Sequence, residues 1–561
     1  MIDMKELILE LMEQTLSAYT DEAIQEYFDR VQTEGLTEHG FPRLASNIGV
    51  LISHGRRSDL LPIFIQMFDF CCRTIPKVKA ANDFSVREVI SCLWEVEKSK
   101  IVPQETTEHW RSLLATIVPE ECYDKYAVTV DDSVQNWALF TGVSEYFRQK
   151  AGLCDTRDFI EMQVVQQSRF FDENGMYRDD GLIKHCQPIV YDLVPRVLYS
   201  LMFDQGYRGK GYKTIDAILK KAGLLTLKMQ SPNGEIPFGG RSNQFLHNEA
   251  CIITICEYEA KRYYKEGDLA LAAAFKAASF RAIEVTRLWL SKKPIRHIKN
   301  RFPTETKYGC EKYAYFDKYM ITVASNLYNA YQICDETIPF EKEADLAPVA
   351  VQTSEFFPLL FLKSGGYGIE LALEGANRYD AAGLGRVHRA GAPSTICMSC
   401  PCPGNPKYTV DITPVPLSAC SAVETENGWS LGADGTATYE VTEKGTDEKK
   451  AFATLLCRFE EGTEIRETYE VEENGVSIGL TSQGEFGYVL PAFAFDGENE
   501  TEIALEKNVL TVSYEGWVCR YTASGSISEF DRIGANRNGH YRSFLVKGEK
   551  AIQIKIEIEK Q

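Results

Sequence analysis

Residues 338–350 read IPFEKEADLAPVA, and the chain changes character across them. The segment is charged and carries Pro339 and Pro348, so it reads as a linker over 339–351. On its N-terminal side, apolar residues recur at helical spacing. In 4–18, for example, Met4, Leu7, Ile8, Leu11, Met12 and Leu16 form one stripe. The same spacing predicts helices over 41–53, 58–72, 85–97, 131–150, 155–171, 188–204, 212–229, 243–265, 268–291 and 311–333. The connections are short and built from turn residues, as in DENG at 172–175 and SPNG at 231–234. Roughly a dozen helices in hairpin succession, with no repeat of fixed period, predict a curved or closed ring of helices and not a strict solenoid. On the C-terminal side the texture is short alternating runs, such as TATYEVTE and AIQIKIEIEK, with turns about every ten residues. That pattern predicts an antiparallel β-sandwich. The expected architecture is an (α/α) helical-hairpin toroid over 1–338, a linker over 339–351 and a β-sandwich over 352–561.

At 561 residues the chain is long enough for two or three cores. A net charge of −19 argues against nucleic acid, because phosphate contacts need clustered Lys and Arg. It leaves room for a small anionic ligand, since a cleft can be basic inside an acidic protein. The opening MIDMKELILELMEQTL lacks the pattern of a signal peptide, and no run of 18 apolar residues occurs. The sixteen cysteines are scattered, which reads as reduced thiols in a cytoplasmic protein. Cys397, Cys400 and Cys402 are clustered. They lack a fourth zinc ligand at suitable spacing, and a buried strand using Cys as a small hydrophobe accounts for them. No metal or cofactor is expected.

The densest group of polar residues is Ser231 to Glu249, SPNGEIPFGGRSNQFLHNE. Gly239 and Gly240 permit a close backbone approach to a ligand. A helix starting near Ser242 would place Gln244, His247 and Asn248 on one face, with Arg241 at its entrance and Asn243 and Glu249 beside it. The plain alternative is a turn and helix cap at Ser242 or Asn243. Upstream, Asn136 stands beside Trp137, and His185 and Tyr191 interrupt apolar surroundings. Downstream lie Tyr308, Tyr313, Tyr315 and Tyr319. In the β-region Arg378, Arg386, His388 and Arg389 fall within twelve residues. Each has a structural reading: a satisfied core amide for Asn136, a helix cap for His185, core positions for the tyrosines and a solvated loop for the arginines.

Taken together, an amide, an imidazole, a phenol and a guanidinium in that order suit β-elimination of a uronic-acid glycoside. Asn or Arg would neutralise the C6 carboxylate and stabilise the developing enolate. Arg does so as a fork. A His or a tyrosinate would take the C5 proton, and a Tyr hydroxyl would protonate the departing O4.

Toroid, sandwich and motifs together resemble the polysaccharide lyase superfamily of heparinase II/III and of chondroitin, hyaluronate and alginate lyases. In its chondroitin and hyaluronate branch the catalytic groups are Asn, His, Tyr and Arg, with the Asn in an Asn-Trp pair and the Arg in Gly-Arg-Ser. Asn136-Trp137, His185, Tyr191 and Gly240-Arg241-Ser242 match that order. The resemblance implies that Asn136 neutralises the carboxylate, that His185 and Tyr191 act as base and acid, and that Arg241 holds the acidic sugar or tunes Tyr191. The short interval from His185 to Tyr191, and HNEA after the Gly-Arg-Ser motif, depart from the family pattern. The chain is therefore expected to be an exo-acting lyase on acidic oligosaccharides. A glycoside hydrolase using Asp179, Asp180, Asp192, Glu235 or Glu249 is the alternative, and a non-catalytic sugar-binding protein of the same fold is a second. The lyase reading requires Asn136, His185, Tyr191, Arg241 and His247 to line one cavity. Trp137, Asn243, Gln244, Asn248, Glu249, Tyr308, Tyr313 and Tyr315 are expected to bind substrate with His247. Arg386 and His388 would join them if the β-region packs over the mouth of the toroid.

Overall fold

A computed structural model describes residues 3–179, 184–342 and 347–561. Among them, fourteen α-helices run from Met4 to Ile333, and seventeen strands follow from Val349 to Lys560. The fold is an (α/α) helical toroid followed by an antiparallel β-sandwich.

Six helices form the inner wall: Gly40–Ser53, Asn82–Ser99, Asn136–Lys150, Ile189–Asp204, His247–Glu266 and Phe316–Ile333. Each packs on the next, and the last packs on the first, which closes the ring. Helices Met4–Leu16, Leu61–Thr74, Arg157–Ser168, Tyr212–Met229 and Leu269–Ser291 pack against this wall from outside. Composition explains the two layers. In Gly40–Ser53 every residue from Gly40 to Ile52 is buried. In Asp21–Glu34 only Ile24, Tyr27, Phe28 and Val31 are buried, one stripe at i, i+3, i+4, i+7. That helix and Gln104–Leu114, whose buried residues are Thr107, Trp110 and Leu114, carry too few apolar residues for the periodicity to reveal them.

The strands form antiparallel sheets of four, eight and five strands. The first strand, Val349–Gln352, begins inside the segment read as linker. Alternation sets the inward face. In Ala551–Lys560 the residues Ile552, Ile554, Ile556 and Ile558 enter the shared core, while Gln553, Glu559 and Lys560 face outward. No helix among the described residues is long and apolar enough to cross a membrane.

The sandwich packs on the loops that precede the last two inner helices. Glu370 accepts from Phe238 N (3.2 Å), Asp380 accepts from Gly240 N (2.8 Å), and Arg386 donates to the Ile236 carbonyl (2.6 Å). Behind this seam lies a buried triad. Lys299 Nζ is 2.7 Å from Glu235 and 2.9 Å from Glu249. Burial opposes ionisation of both carboxyls. Lys299, with help from the charges of His388 and Arg386, overrides it at Glu235 and holds that group at about 2. At Glu249 burial prevails and the pKa is raised. Lys299→Met would leave a buried carboxylate unpaired and is expected to destabilise the fold by about 3–5 kcal/mol. Urea unfolding measures this, and a loss under about 1 kcal/mol would show that the triad is not a structural anchor.

Candidate functional site

A cavity of about 840 Å³ opens at one end of the inner ring. All six inner helices line it, most of them through their N-terminal turns: His39 and Arg43, Phe84 and Arg87, Asn136 to Phe140, Val190 to Leu198, His247 and Cys251, and Lys318 to Asn329. Inner helices that each follow an outer partner run the same way, so their N-terminal ends share one mouth. None of the six is capped by its own N-cap side chain, and neither are the outer helices starting at Leu61, Arg157 and Tyr212, whereas those starting at Met4, Asp21 and Leu269 are capped by Asp3, Thr20 and Asp268. Uncapped first turns present N–H groups and the positive end of the helix dipole. Five cationic side chains (Arg43, Arg87, Lys125, Arg241 and Lys318) line the cavity with two carboxylates, Glu38 and Asp179. Arg43 and Arg87 share Glu88 behind the wall. A chain of net charge −19 thus has a cationic cavity.

The chemistry-bearing residues converge around Asp179, whose side chain is 3% exposed. Asn136 Nδ2 donates to Asp179 Oδ1 (2.5 Å), and Arg241 Nη2 lies 3.3 Å from Asp179 Oδ2. The guanidinium of Arg241 stands 4.3 Å over the Tyr191 ring. Burial pushes the Tyr191 hydroxyl up, and Arg241 together with hydrogen bonds from Tyr313 and Ser242 opposes that rise. Ser242 Oγ is 2.6 Å from the Tyr313 hydroxyl. The loop reaches this arrangement because Gly240, at φ +69°, packs where a Cβ would stand 2.7 Å from Pro188 Cα, at the entrance of the Tyr191 helix. Ser242 (φ +63°) and Gln244 (φ +64°) are also left-handed. Such backbone costs roughly 1–3 kcal/mol per residue and persists where surrounding contacts enforce it.

Opposite, His247 is buried with no hydrogen-bond partner for Nδ1. Burial, then the charges of Arg43 and His297, push its pKa down to about 3, so the imidazole is neutral at pH 7. Phe84 meets Trp137 and Phe140 edge-on at 4.5 and 4.6 Å, and Lys125 sits 4.6 Å over Trp137. This aromatic wall suits stacking against a sugar face.

Of the residues expected to share the cavity, Asn136, Trp137, Tyr191, Arg241, His247 and Tyr313 line it. His185 does not. It is half exposed on the outer surface, 3.1 Å from Glu374 of the sandwich, because the loop before the Tyr191 helix turns toward Phe356. The requirement that five residues line one cavity is met by Asn136, Tyr191, Arg241 and His247 and fails at His185, which therefore does not transfer the proton. The helix expected from 243 starts at His247, because the left-handed residues at 242 and 244 cannot begin it. Gln244 accordingly accepts from Asn538, Asn243 donates to the Gly240 carbonyl and Asn248 to the Ser242 carbonyl; all three are buried loop supports. Glu249 belongs to the Lys299 triad. Tyr308 stacks on Phe302 at 3.5 Å, and Tyr315 lies under Lys307, both away from the cavity. The sandwich packs on the seam and not across the mouth. Arg386 therefore pairs with Glu370 (3.1 Å), and His388 lies 3.2 Å from Ser399 Oγ.

Among the carboxylates considered for hydrolysis, Asp179 lines the cavity. Asp192 is buried against Arg196 (2.6 Å), Glu235 and Glu249 are held by Lys299, and Asp180 lies outside the described residues. Cys397, Cys400 and Cys402 are buried in irregular chain with isolated bridges instead of a strand, and all sixteen cysteines are free thiols. Among the described residues no group of three or more His, Cys, Asp or Glu is placed to hold a metal ion.

The cavity also contains His39, Arg43, Phe84, Arg87, Lys125, Lys318, Tyr319 and Asn329, of which only Tyr319 drew notice in the sequence. A usable signal existed. Arg43 and Arg87 are charges within the first two turns of helices, among residues that are mostly buried.

No family model matches the chain, and no curated protein matches it. Solved structures are similar in overall architecture. A mutant of the heparan sulfate lyase HepC from Pedobacter heparinus superposes with a TM-score of 0.48 at 8% identity, over 93% of this chain and 76% of that one. A structure described as heparinase III gives 0.48 at 10% identity, over 92% and 76%. A baculovirus envelope protein described as a chondroitin lyase gives 0.46 at 10% identity, over 92% and 75%.

Proposed function

We propose that the cavity binds an acidic, uronate-containing oligosaccharide and cleaves it by β-elimination, acting from a chain end. The observation that carries this reading is the joint hold of Asp179 on Asn136 and Arg241, with the Tyr191 ring beneath the guanidinium. Asp179 orients an amide donor and a cationic fork toward one ligand position, as neutralising a C6 carboxylate requires. The uncapped helix ends add positive potential at the same mouth.

Neutral His247 takes the C5 proton, and the electron pair passes into an enolate held by Asn136 and Arg241. The C4–O4 bond then breaks, Tyr191 gives its hydroxyl proton to O4, and a C4=C5 double bond remains. Solvent returns the proton from His247 to Tyr191. This division replaces the His185–Tyr191 pair with His247–Tyr191, because His247 lines the cavity with Tyr191 and His185 does not. Val194, Val197, Leu198 and Cys251 line the deeper wall, which favours entry of a chain end over passage of a continuous polymer.

Uronate oligosaccharides incubated with the protein should produce the ultraviolet absorbance of a 4,5-unsaturated product. The rate constant kcat/KM should be flat from about pH 5 to pH 9. His247 stays neutral above its pKa of about 3, and the Tyr191 hydroxyl stays protonated because its pKa is raised. New reducing ends without that absorbance would establish hydrolysis instead. An acid limb near pH 6.5 would remove His247 from the role of base.

A further inference from the structure

One element of the sandwich reaches into the rim of the toroid beside the cavity without lining it. Strands Ile527–Ala535 and His540–Gly548 are joined by Asn536, Arg537, Asn538 and Gly539, all buried. An arginine at a hairpin tip is ordinarily solvated, and burying it fully requires partners for its charge. Arg537 has them. Nη2 lies 2.6 Å from Glu311 Oε1 and Nη1 lies 2.8 Å from Oε2, a two-pronged pair, and Nη1 also donates to the Gly309 carbonyl. Its guanidinium carbon stands 4.0 Å over Tyr408 and 5.3 Å from the Phe245 ring. Asn538 donates to Gln244 Oε1 (3.2 Å) and to the Lys299 carbonyl (2.8 Å), which fixes the tip on both sides.

Glu311 has a second partner. Its Oε1 accepts from the backbone N–H of Ser242 at 2.9 Å. Ser242 is the left-handed residue that follows Arg241, and its hydroxyl is 2.6 Å from that of Tyr313. Glu311 is thus both the counter-ion of a sandwich arginine and the anchor of a strained backbone position in the site loop. We propose that Arg537 is a positioning residue for the cavity. It fixes Glu311, Glu311 fixes Ser242, and Ser242 sets Arg241 over Tyr191 and seats the Tyr313 hydroxyl. In its kinetic consequences the inference rests on the lyase reading; in its structural consequences it does not.

The test uses the full chain. Arg537→Met alone would leave Glu311 unpaired in the interior and could fail to fold, so the main variant is Arg537→Met with Glu311→Leu, which removes both buried charges together. With the fold intact by circular dichroism, hydrogen exchange across 239–246 should accelerate at least tenfold, while strand Ala551–Lys560 keeps wild-type protection. In the elimination assay kcat should fall about 100-fold with a smaller change in KM, since a displacement near 1 Å costs that much in a preorganised site. Arg537→Lys, which keeps the charge but not the fork, should fall between. Wild-type exchange across 239–246 in the folded double variant overturns the inference. If the wild-type protein shows no elimination at all, the lyase reading fails, and the exchange result still decides the positioning role.

Discussion

Tyr191→Phe is expected to lower kcat by about 10²–10⁴-fold while leaving KM within a few-fold of wild type. The variant removes one hydroxyl and keeps the ring that lies 4.3 Å under Arg241, so the cation–π contact and the packing persist. What disappears is the proton donor for the departing O4. Burial raises the hydroxyl's pKa and keeps the group protonated at neutral pH, which suits an acid, and Arg241, Tyr313 and Ser242 moderate that rise. Tyr313→Phe is the matched comparison, because Tyr313 also lines the cavity and reaches Ser242. Substrates with a good leaving group need little protonation of O4, so their loss in Tyr191→Phe should be smaller. Turnover within a few-fold of wild type on an ordinary oligosaccharide would take Tyr191 out of the mechanism.

Arg241→Ala is expected to cost about 10²–10³-fold in kcat, in the range seen when one donor to a developing oxyanion is removed. KM should rise as well, because the guanidinium would bind the ground-state carboxylate. Two further effects distinguish this variant from a simple loss of charge. Asp179, 3% exposed, loses the ion pair at 3.3 Å and keeps the Asn136 amide, so Asn136 is less well oriented. The Tyr191 hydroxyl loses the cation that lowers its pKa, so any high-pH limb should move upward. Arg241→Lys should recover little, since an ammonium cannot form the two-pronged contact. A variant with full activity, or a lysine variant equal to wild type, would contradict the assigned role.

Several parts of this arrangement are visible in the sequence because they depend on local order. Helical periodicity in 40–53 and 189–204 survives burial on all sides, since apolar residues still cluster and Pro188 marks the start of the second helix. Alternation in 551–560 exposes the strand directly. Asn136 and Arg241 stand out as polar residues at helix starts and glycine turns. His185 is a different case. Its neighbours look like those of Tyr191, but a turn of the loop carries one outward to Glu374 and the other inward to Arg241. Gln244, His247 and Asn248 occupy the spacing of a helix face, yet two left-handed residues delay the helix to 247, so that Gln244 meets Asn538 of the sandwich and Asn248 donates to the Ser242 carbonyl.

The sequence by itself determined the order of helices then strands, the hairpin succession of the helices, and the presence of an amide, a phenol and a guanidinium near helix entrances, because periodicity and turn chemistry act over a few residues. Only the tertiary structure decided which polar residues face the ligand. Closing the ring brings six uncapped helix ends to one mouth, and the sandwich seam consumes Glu249, Arg386, His388 and Gln244 as buried partners. Those outcomes depend on contacts between separate elements, some of them hundreds of positions apart, such as Gln244 with Asn538 and Arg537 with Glu311, and no local pattern encodes them.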